Sequence, residues 1–338
     1  MLCRVADDIF WMGRYVERAI AVSRLVDVTW HLELDAGAID DADGAAFWLP
    51  LLALSHPRNT LMGDEFPEPR DIRHFLSLDG DNNSSLVSCV RSARAAAQRV
   101  RESISSEMWE QINALYHATL TSQLAREVDE DPHAFYRQLR EGAQFFLGLA
   151  DCTMARDEPW HFLSLGSYLE RADNVARMLE LQAHLLNTDI ATATDAPVRW
   201  LAVLRSCGSV EAYARYYSLR VEPARVLEFL VLNPVFPQSI RFSLAAARGA
   251  LNEIAAAAGT SPASPALRSM GRLCARLETT AVDEVLDEGL PQFLHTVHGG
   301  IADVAEQITR TYLRDEAPPA RLGGVARAAM IMAAQQQQ

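Results

Sequence analysis

The chain has no lysine: across 338 residues, all 31 basic side chains are arginine. That absence removes whole mechanisms, among them Schiff-base chemistry, a pyridoxal-phosphate anchor, the P-loop lysine and any lysine general base. Cysteine is scarce. Cys3, Cys89, Cys152, Cys207 and Cys274 are scattered, odd in number and free of C-x-x-C spacing, which argues against a disulfide framework or a structural zinc site and for reduced, packed thiols. No apolar run approaches the ~18 residues of a membrane span. The opening MLCRVADDIF lacks the basic-then-apolar layout of a signal peptide, so a cytoplasmic protein is expected. The net charge of −13 repels phosphate backbones, which argues against a nucleic-acid partner. G-x-S-x-G elbows, Gly-rich phosphate loops and H-E-x-x-H are missing as well.

What is present is helical periodicity, with almost no strand-type alternation. The pattern predicts helices over about 6–31, 45–55, 69–78, 86–101, 107–126, 132–149 and 157–186. Beyond a polar stretch at 187–197, a candidate sub-boundary, it predicts 198–207, 210–219, 223–232, 237–257, 265–288 and 291–313. Proline just inside helix starts, with Gly259 and Gly289 just past helix ends, supports these bounds. Residues 314–338 are rich in Pro, Ala, Gly and Gln and read as a flexible tail.

One segment occurs twice. Residues 11–28 (WMGRYVERAIAVSRLVDV) and 164–181 (SLGSYLERADNVARMLEL) share Gly13/Gly166, Tyr15/Tyr168, Glu17/Glu170, Arg18/Arg171, Ala19/Ala172, Val22/Val175 and Arg24/Arg177 at a constant offset of 153. Such self-similarity predicts two equivalent helices. In the first copy Ile9, Met12, Val16, Ala19, Ser23, Val26 and Trp30 form one stripe, and Tyr15, Val22, Leu25 and Thr29 a second beside it. Helices apolar around most of their circumference are central to a fold. The expected class is therefore all-α, a multi-helix bundle with two pseudo-equivalent central helices approaching at their glycines. Glu17, Arg18, Glu170 and Arg171 are then ionisable groups on buried helices and must be paired. Two readings stay open: a clamp of Glu17 with Arg171 and Glu170 with Arg18, or a pocket whose arginines hold a carboxylate or phosphate.

At these residues the chain resembles the alpha-E family, α-helical domains with a recurrent E-R motif. Its opening pattern D-x-x-Y/F-W-x-G-R-Y-x-E-R-A is similar to Asp8, Phe10, Trp11, Gly13, Arg14, Tyr15, Glu17, Arg18 and Ala19. Its second pattern is matched by Thr153, Met154, Arg156, Asp157, Glu158, Trp160, Phe162, Leu165, Gly166, Leu169, Glu170, Arg171, Ala172 and Asp173. Further matches are Asn83–Ser85, the stretch from Arg91 to Glu110, Arg205–Tyr213 and Phe236–Arg241. Ser164, Ser167 and Cys152 depart from the pattern. The resemblance covers about residues 1–313. Together with the repeat it marks a candidate ligand-binding or structural cluster of Arg14, Tyr15, Glu17, Arg18, Arg156, Asp157, Glu158, Tyr168, Glu170 and Arg171, with no catalytic residue assigned. It also implies a partner, a circularly permuted ATP-grasp ligase-like protein encoded nearby or fused, often with a transglutaminase-like peptidase.

The expected function is that of an accessory or substrate-binding subunit in ATP-dependent amide or peptide-bond formation, with no cofactor of its own and ATP entering only through the partner. One alternative is an enzyme using Glu17, Glu170, Asp157 and Glu158 as acid/base groups around Arg18 and Arg171. Another is a purely structural assembly protein. Metal is not expected: Glu158-x-x-His161, Glu130-x-x-His133 and the pair His295/His298 have helical ligand spacing but lack the further ligands such sites need. Cys207 has no helper histidine nearby.

Overall fold

The computed structural model describes residues 1–36, 48, 51–52, 68–121, 123–186, 196–218 and 220–313. Among these the protein is all-α, with fourteen helices and no strand. They are α1 Cys3–Ala36, α2 Pro69–Ser77, α3 Leu86–Arg99, α4 Ser106–Ala118, α5 Leu124–Glu130, α6 Pro132–Thr153 and α7 Glu158–Leu186, followed by α8 Ala196–Ser206, α9 Val210–Tyr217, α10 Pro223–Leu227, α11 Ile240–Ala257, α12 Pro265–Thr279, α13 Val282–Glu288 and α14 Leu290–Ile308. Single π-type turns extend α10 through Glu228–Leu232 and α14 through Thr309–Leu313. The expected sub-boundary at 187–197 and the tail at 314–338 lie outside the described residues, except at the first residues of α8. Of the helix expected over 45–55, Trp48, Leu51 and Leu52 are described; they are helical and buried.

Helix starts follow the local chemistry. The hydroxyls of Ser85, Ser105, Ser239 and Ser264 accept the first free N–H groups of α3, α4, α11 and α12, and the Asp131 carboxylate does the same for α6. Proline occupies the first turn of α2, α6, α10, α12 and α14. Gly208, Gly259 and Gly289 take positive φ where helices end.

Two expected helices are each two. The span 107–126 breaks after Ala118, where the buried Thr119 hydroxyl donates back to the Tyr116 carbonyl and competes with the next helical bond. The span 265–288 breaks at Thr279–Thr280, whose hydroxyls donate to the carbonyls of Ala275 and Arg276. Helix α13 then restarts with the Glu284 carboxylate accepting the Ala281 N–H.

Packing divides around α1 and α7. Helix α1 closes a ring with α3, α4 and α6, and α7 closes another with α11, α12 and α14. The two rings meet where α1 packs along α7, and α8 lies against both. The stripe Ile9, Met12, Val16, Ala19, Ser23 and Val26 is fully buried, as are Leu165, Leu169, Ala172, Ala176 and Leu179 on α7. The apolar faces read from the sequence are therefore the faces that build this core. None of the described helices is long and apolar enough to cross a membrane.

Candidate functional site

The site begins with two glycines. A Cβ on Gly13 would sit 2.4 Å from the Leu163 carbonyl oxygen, and one on Gly166 would sit 2.1 Å from the Phe10 carbonyl oxygen. Only a residue without a side chain permits that backbone approach, which offsets glycine's helix cost of about 1 kcal/mol. One turn further along each helix this brings Glu17 beside α7 and Glu170 beside α1.

Both carboxylates are buried, at 3% and 1% exposure, and both are paired across the seam. Glu170 accepts from Arg14 Nε at 2.6 Å and from Arg18 Nε and Nη2 at 2.6 and 3.1 Å. Glu17 accepts from Arg171 Nη2. Rings brace the guanidinium groups: Trp11 faces Arg14, Tyr15 faces Arg18 and Tyr168 faces Arg171 at 5.2, 5.9 and 4.9 Å. Burial alone would raise the Glu170 carboxyl, but Arg18 and Arg14 outweigh it and hold it below its ordinary value. Burial likewise works to lower Arg18 and Arg171, and the facing carboxylates Glu170 and Glu17 reverse the sign. The network is lopsided: Ser167 stands where the first copy has Arg14, so Glu170 meets two arginines and Glu17 one.

Beside the network a groove runs along α1 and α7 toward α8 as three small hollows of about 60, 20 and 60 Å³. Met178 lines all three. The first contains Arg18, Glu170, Asn174 and Arg177; the second Glu17, Arg24, Arg171 and Asn174; the third Thr29, Gln182 and Arg199. Four of the residues that line it carry a buried donor without an acceptor: Arg171 Nε, Asn174 Nδ2, Gln182 Nε2 and Arg199 Nε. A larger hollow of about 160 Å³ between α4 and α6 is lined by no ionisable residue, so it offers room without chemistry.

The remaining expected residues lie elsewhere. Arg156, Asp157 and Glu158 sit at the N-terminal end of α7, twelve residues or more from Glu170, which is about 18 Å along a helix. Arg156 stacks on Trp160 and pairs with Asp151 at 2.6 Å, Asp157 is exposed, and Glu158 meets the Met1 amino group at 2.8 Å. The cluster of ten is thus a seam of seven, with these three apart because a straight helix carries them away. Cys207 is buried and its thiol is pushed up to about 12, so thiolate chemistry has no footing there.

Three groups were not among the site residues expected from the sequence. Arg24 and Gln182 border the groove. Asp173 lies 2.9 Å from His298 Nδ1, as an ion contact rather than a linear hydrogen bond, and 3.0 Å from Arg177. Asp27, His31 and His133 gather donor atoms within 4.8 Å, the one such group among the described residues with spacing for a metal. There His133 Nδ1 and Arg140 Nη1 already take the two Asp27 oxygens at 2.9 and 3.3 Å, and His31 Nδ1 reaches the Asp27 carbonyl at 2.8 Å. The i, i+4 spacing of Asp27 and His31 was the available signal.

A family model, Alpha-E, described as a predicted alpha-helical domain with a conserved ER motif, matches residues 1–313. Two relatives are the uncharacterized proteins Rv2567 of Mycobacterium tuberculosis (strain H37Rv) and Mb2597 of Mycobacterium bovis. Each is 26% identical over 329 residues, covering 92% of this chain and 37% of the relative. The chain thus spans well under half the length of these curated relatives. No solved structure matches.

Proposed function

Because the chain belongs to the Alpha-E family, we propose that it is a non-catalytic, substrate-binding subunit. It holds a polar, peptide-like ligand in the α1–α7 groove for a circularly permuted ATP-grasp ligase-like protein that makes or modifies an amide bond. The observation that carries this reading is the state of Glu170. A carboxylate bonded by two guanidinium groups and held ionised is a poor general acid and a weak base. The groove beside it nevertheless presents buried donors in search of acceptors. Binding suits that arrangement better than proton transfer does.

We further read α1 and α7 as pseudo-equivalent helices of a duplicated unit, each at the centre of its own ring. Duplication would supply two facing copies of one motif, one turn of which diverged into a ligand site. The ligase partner rests on the family resemblance. In its favour, the mycobacterial relatives continue far beyond the matched region, leaving ample chain for a fused catalytic module. The transglutaminase-like peptidase and a cytoplasmic setting belong to the same expectation.

Co-expression with the ATP-grasp protein of the same source tests this. The two should co-purify, and the isolated chain should turn over no ATP. ATP-dependent ligation by the isolated chain would overturn the accessory role in favour of the enzyme. A ligase fully active without the chain would leave only the structural role.

A further inference from the structure

Resting on the reading of the α1–α7 groove as a ligand site, we propose that Arg24 anchors a free carboxylate of the ligand. The amide groups of Asn174 and Gln182 then serve the carbonyl oxygens of a peptide-like chain.

The repeat holds the first clue. In the second copy, four residues before Arg177 stands Asp173, and the two pair at 3.0 Å. The same position in the first copy is Ile20, so Arg24 inherits the cation without the acid. The carboxylates within two turns of it on its own helix are both committed elsewhere, Glu17 to Arg171 and Asp27 to His133 and Arg140. Arg24 consequently makes no ion pair or hydrogen bond within the described residues. It is fixed all the same. A Cβ built on Gly208 would lie 2.9–3.0 Å from its Cζ and both Nη atoms, so the guanidinium lies face-on against that glycine, in the wall of the groove.

Half-burial, and then the like charge of Arg140, depress this guanidinium below its ordinary value. An arginine does not shed its proton at accessible pH, so the charge calls for an anion from outside. The hollow at Arg24 is only about 20 Å³ and is also lined by Glu17. A flat, singly charged carboxylate fits edge-on to a guanidinium there, whereas a tetrahedral, doubly charged phosphate is bulkier and more strongly repelled by Glu17. Beyond it the groove walls are Leu25 and Met178, and the buried Asn174 Nδ2 and Gln182 Nε2 lack acceptors. Gln182 is 3% exposed. Amide donors over an apolar floor match a peptide backbone.

The test uses the full chain and simple probes: N-acetyl-alanyl-alanine, its C-terminal amide and inorganic phosphate, read by thermal midpoint at matched ionic strength. The free acid should raise the midpoint of the wild type in a saturable way. The amide should not, and Arg24→Met should weaken the apparent affinity for the acid by about 30-fold or more. Arg24→Met keeps the apolar stem on Gly208, and Arg24→Gln gives a second variant without the charge. Equal responses to acid and amide, a stronger response to phosphate, or undiminished binding by both variants would overturn the carboxylate anchor. Co-purification with the ligase does not pass through Arg24. Its persistence in a variant with unchanged acid binding would count against this inference alone, and its loss in wild type against the accessory role alone.

Discussion

Glu170 shows how a buried charge is made tolerable, and how much is lost when its partners are stranded. Replacing it with Gln keeps the shape but takes from Arg14 and Arg18 the carboxylate they share, and breaking a buried pair costs about 3–5 kcal/mol. Chemical denaturation of Glu170→Gln should show a loss of that order; a loss below about 1 kcal/mol would mean that water, not the seam, solvates these groups. His298 makes the residue-scale case for pH. Its contact with Asp173 holds the imidazole above its ordinary 6.5, although burial pulls the other way. A histidine raised in the folded state stabilises fully below its unfolded value, and the stabilisation fades as pH rises through the folded one. Wild type should therefore lose stability above about pH 6.5 relative to His298→Gln, and parallel pH curves for the two proteins would refute it. The recurring E-R segment made Glu17, Arg18, Glu170 and Arg171 legible in the sequence, because ionisable groups on helices apolar around most of their circumference must be paired. Arg24 stood in the same repeat with Ile20 in place of Asp173, but that Asp173 pairs with Arg177, and so that Arg24 lacks the matching acid, needed the geometry.

Among elements, the contrast between glycines separates packing from propensity. A Cβ on Gly166 would clash with the Phe10 carbonyl, backbone that no rotamer change relieves, whereas Gly249 on α11 is exposed with nothing within 4 Å of a built Cβ. Gly166→Ala must push α1 off α7, at the upper end of the usual ~1–3 kcal/mol for overpacking or beyond it. Gly249→Ala should instead stabilise by up to about 1 kcal/mol through helix propensity. Matched denaturation curves check both, and a neutral Gly166→Ala would mean that the helices are free to separate. Serine and proline at helix starts made most boundaries legible. The breaks at Thr119 and Thr279–Thr280 were not, because a threonine that back-bonds to its own helix looks in sequence like any β-branched residue within one. Arg156, Asp157 and Glu158 were misgrouped for a simpler reason: a motif contiguous in sequence covers about 18 Å along α7.

At the scale of the molecule, the question is whether two rings of helices form one folding unit. The buried apolar residues of both rings form one continuous cluster, and α1 and α7 bury one face against each other through the glycine contacts and three salt-bridged arginines. Those buried carboxylates cannot be left exposed to an apolar seam without their partners from the other ring, so opening the seam strands charge on both sides. The halves should therefore unfold together. Tryptophans report on both, with Trp11, Trp30 and Trp109 in the first ring and Trp160 in the second, beside Trp200 on α8. Their fluorescence and the helical circular dichroism should give one coincident transition in wild type. Gly166→Ala should move that transition to lower temperature as a whole. A variant whose transition splits in two would show that the rings fold independently, and that the seam is a docking surface between two finished bundles.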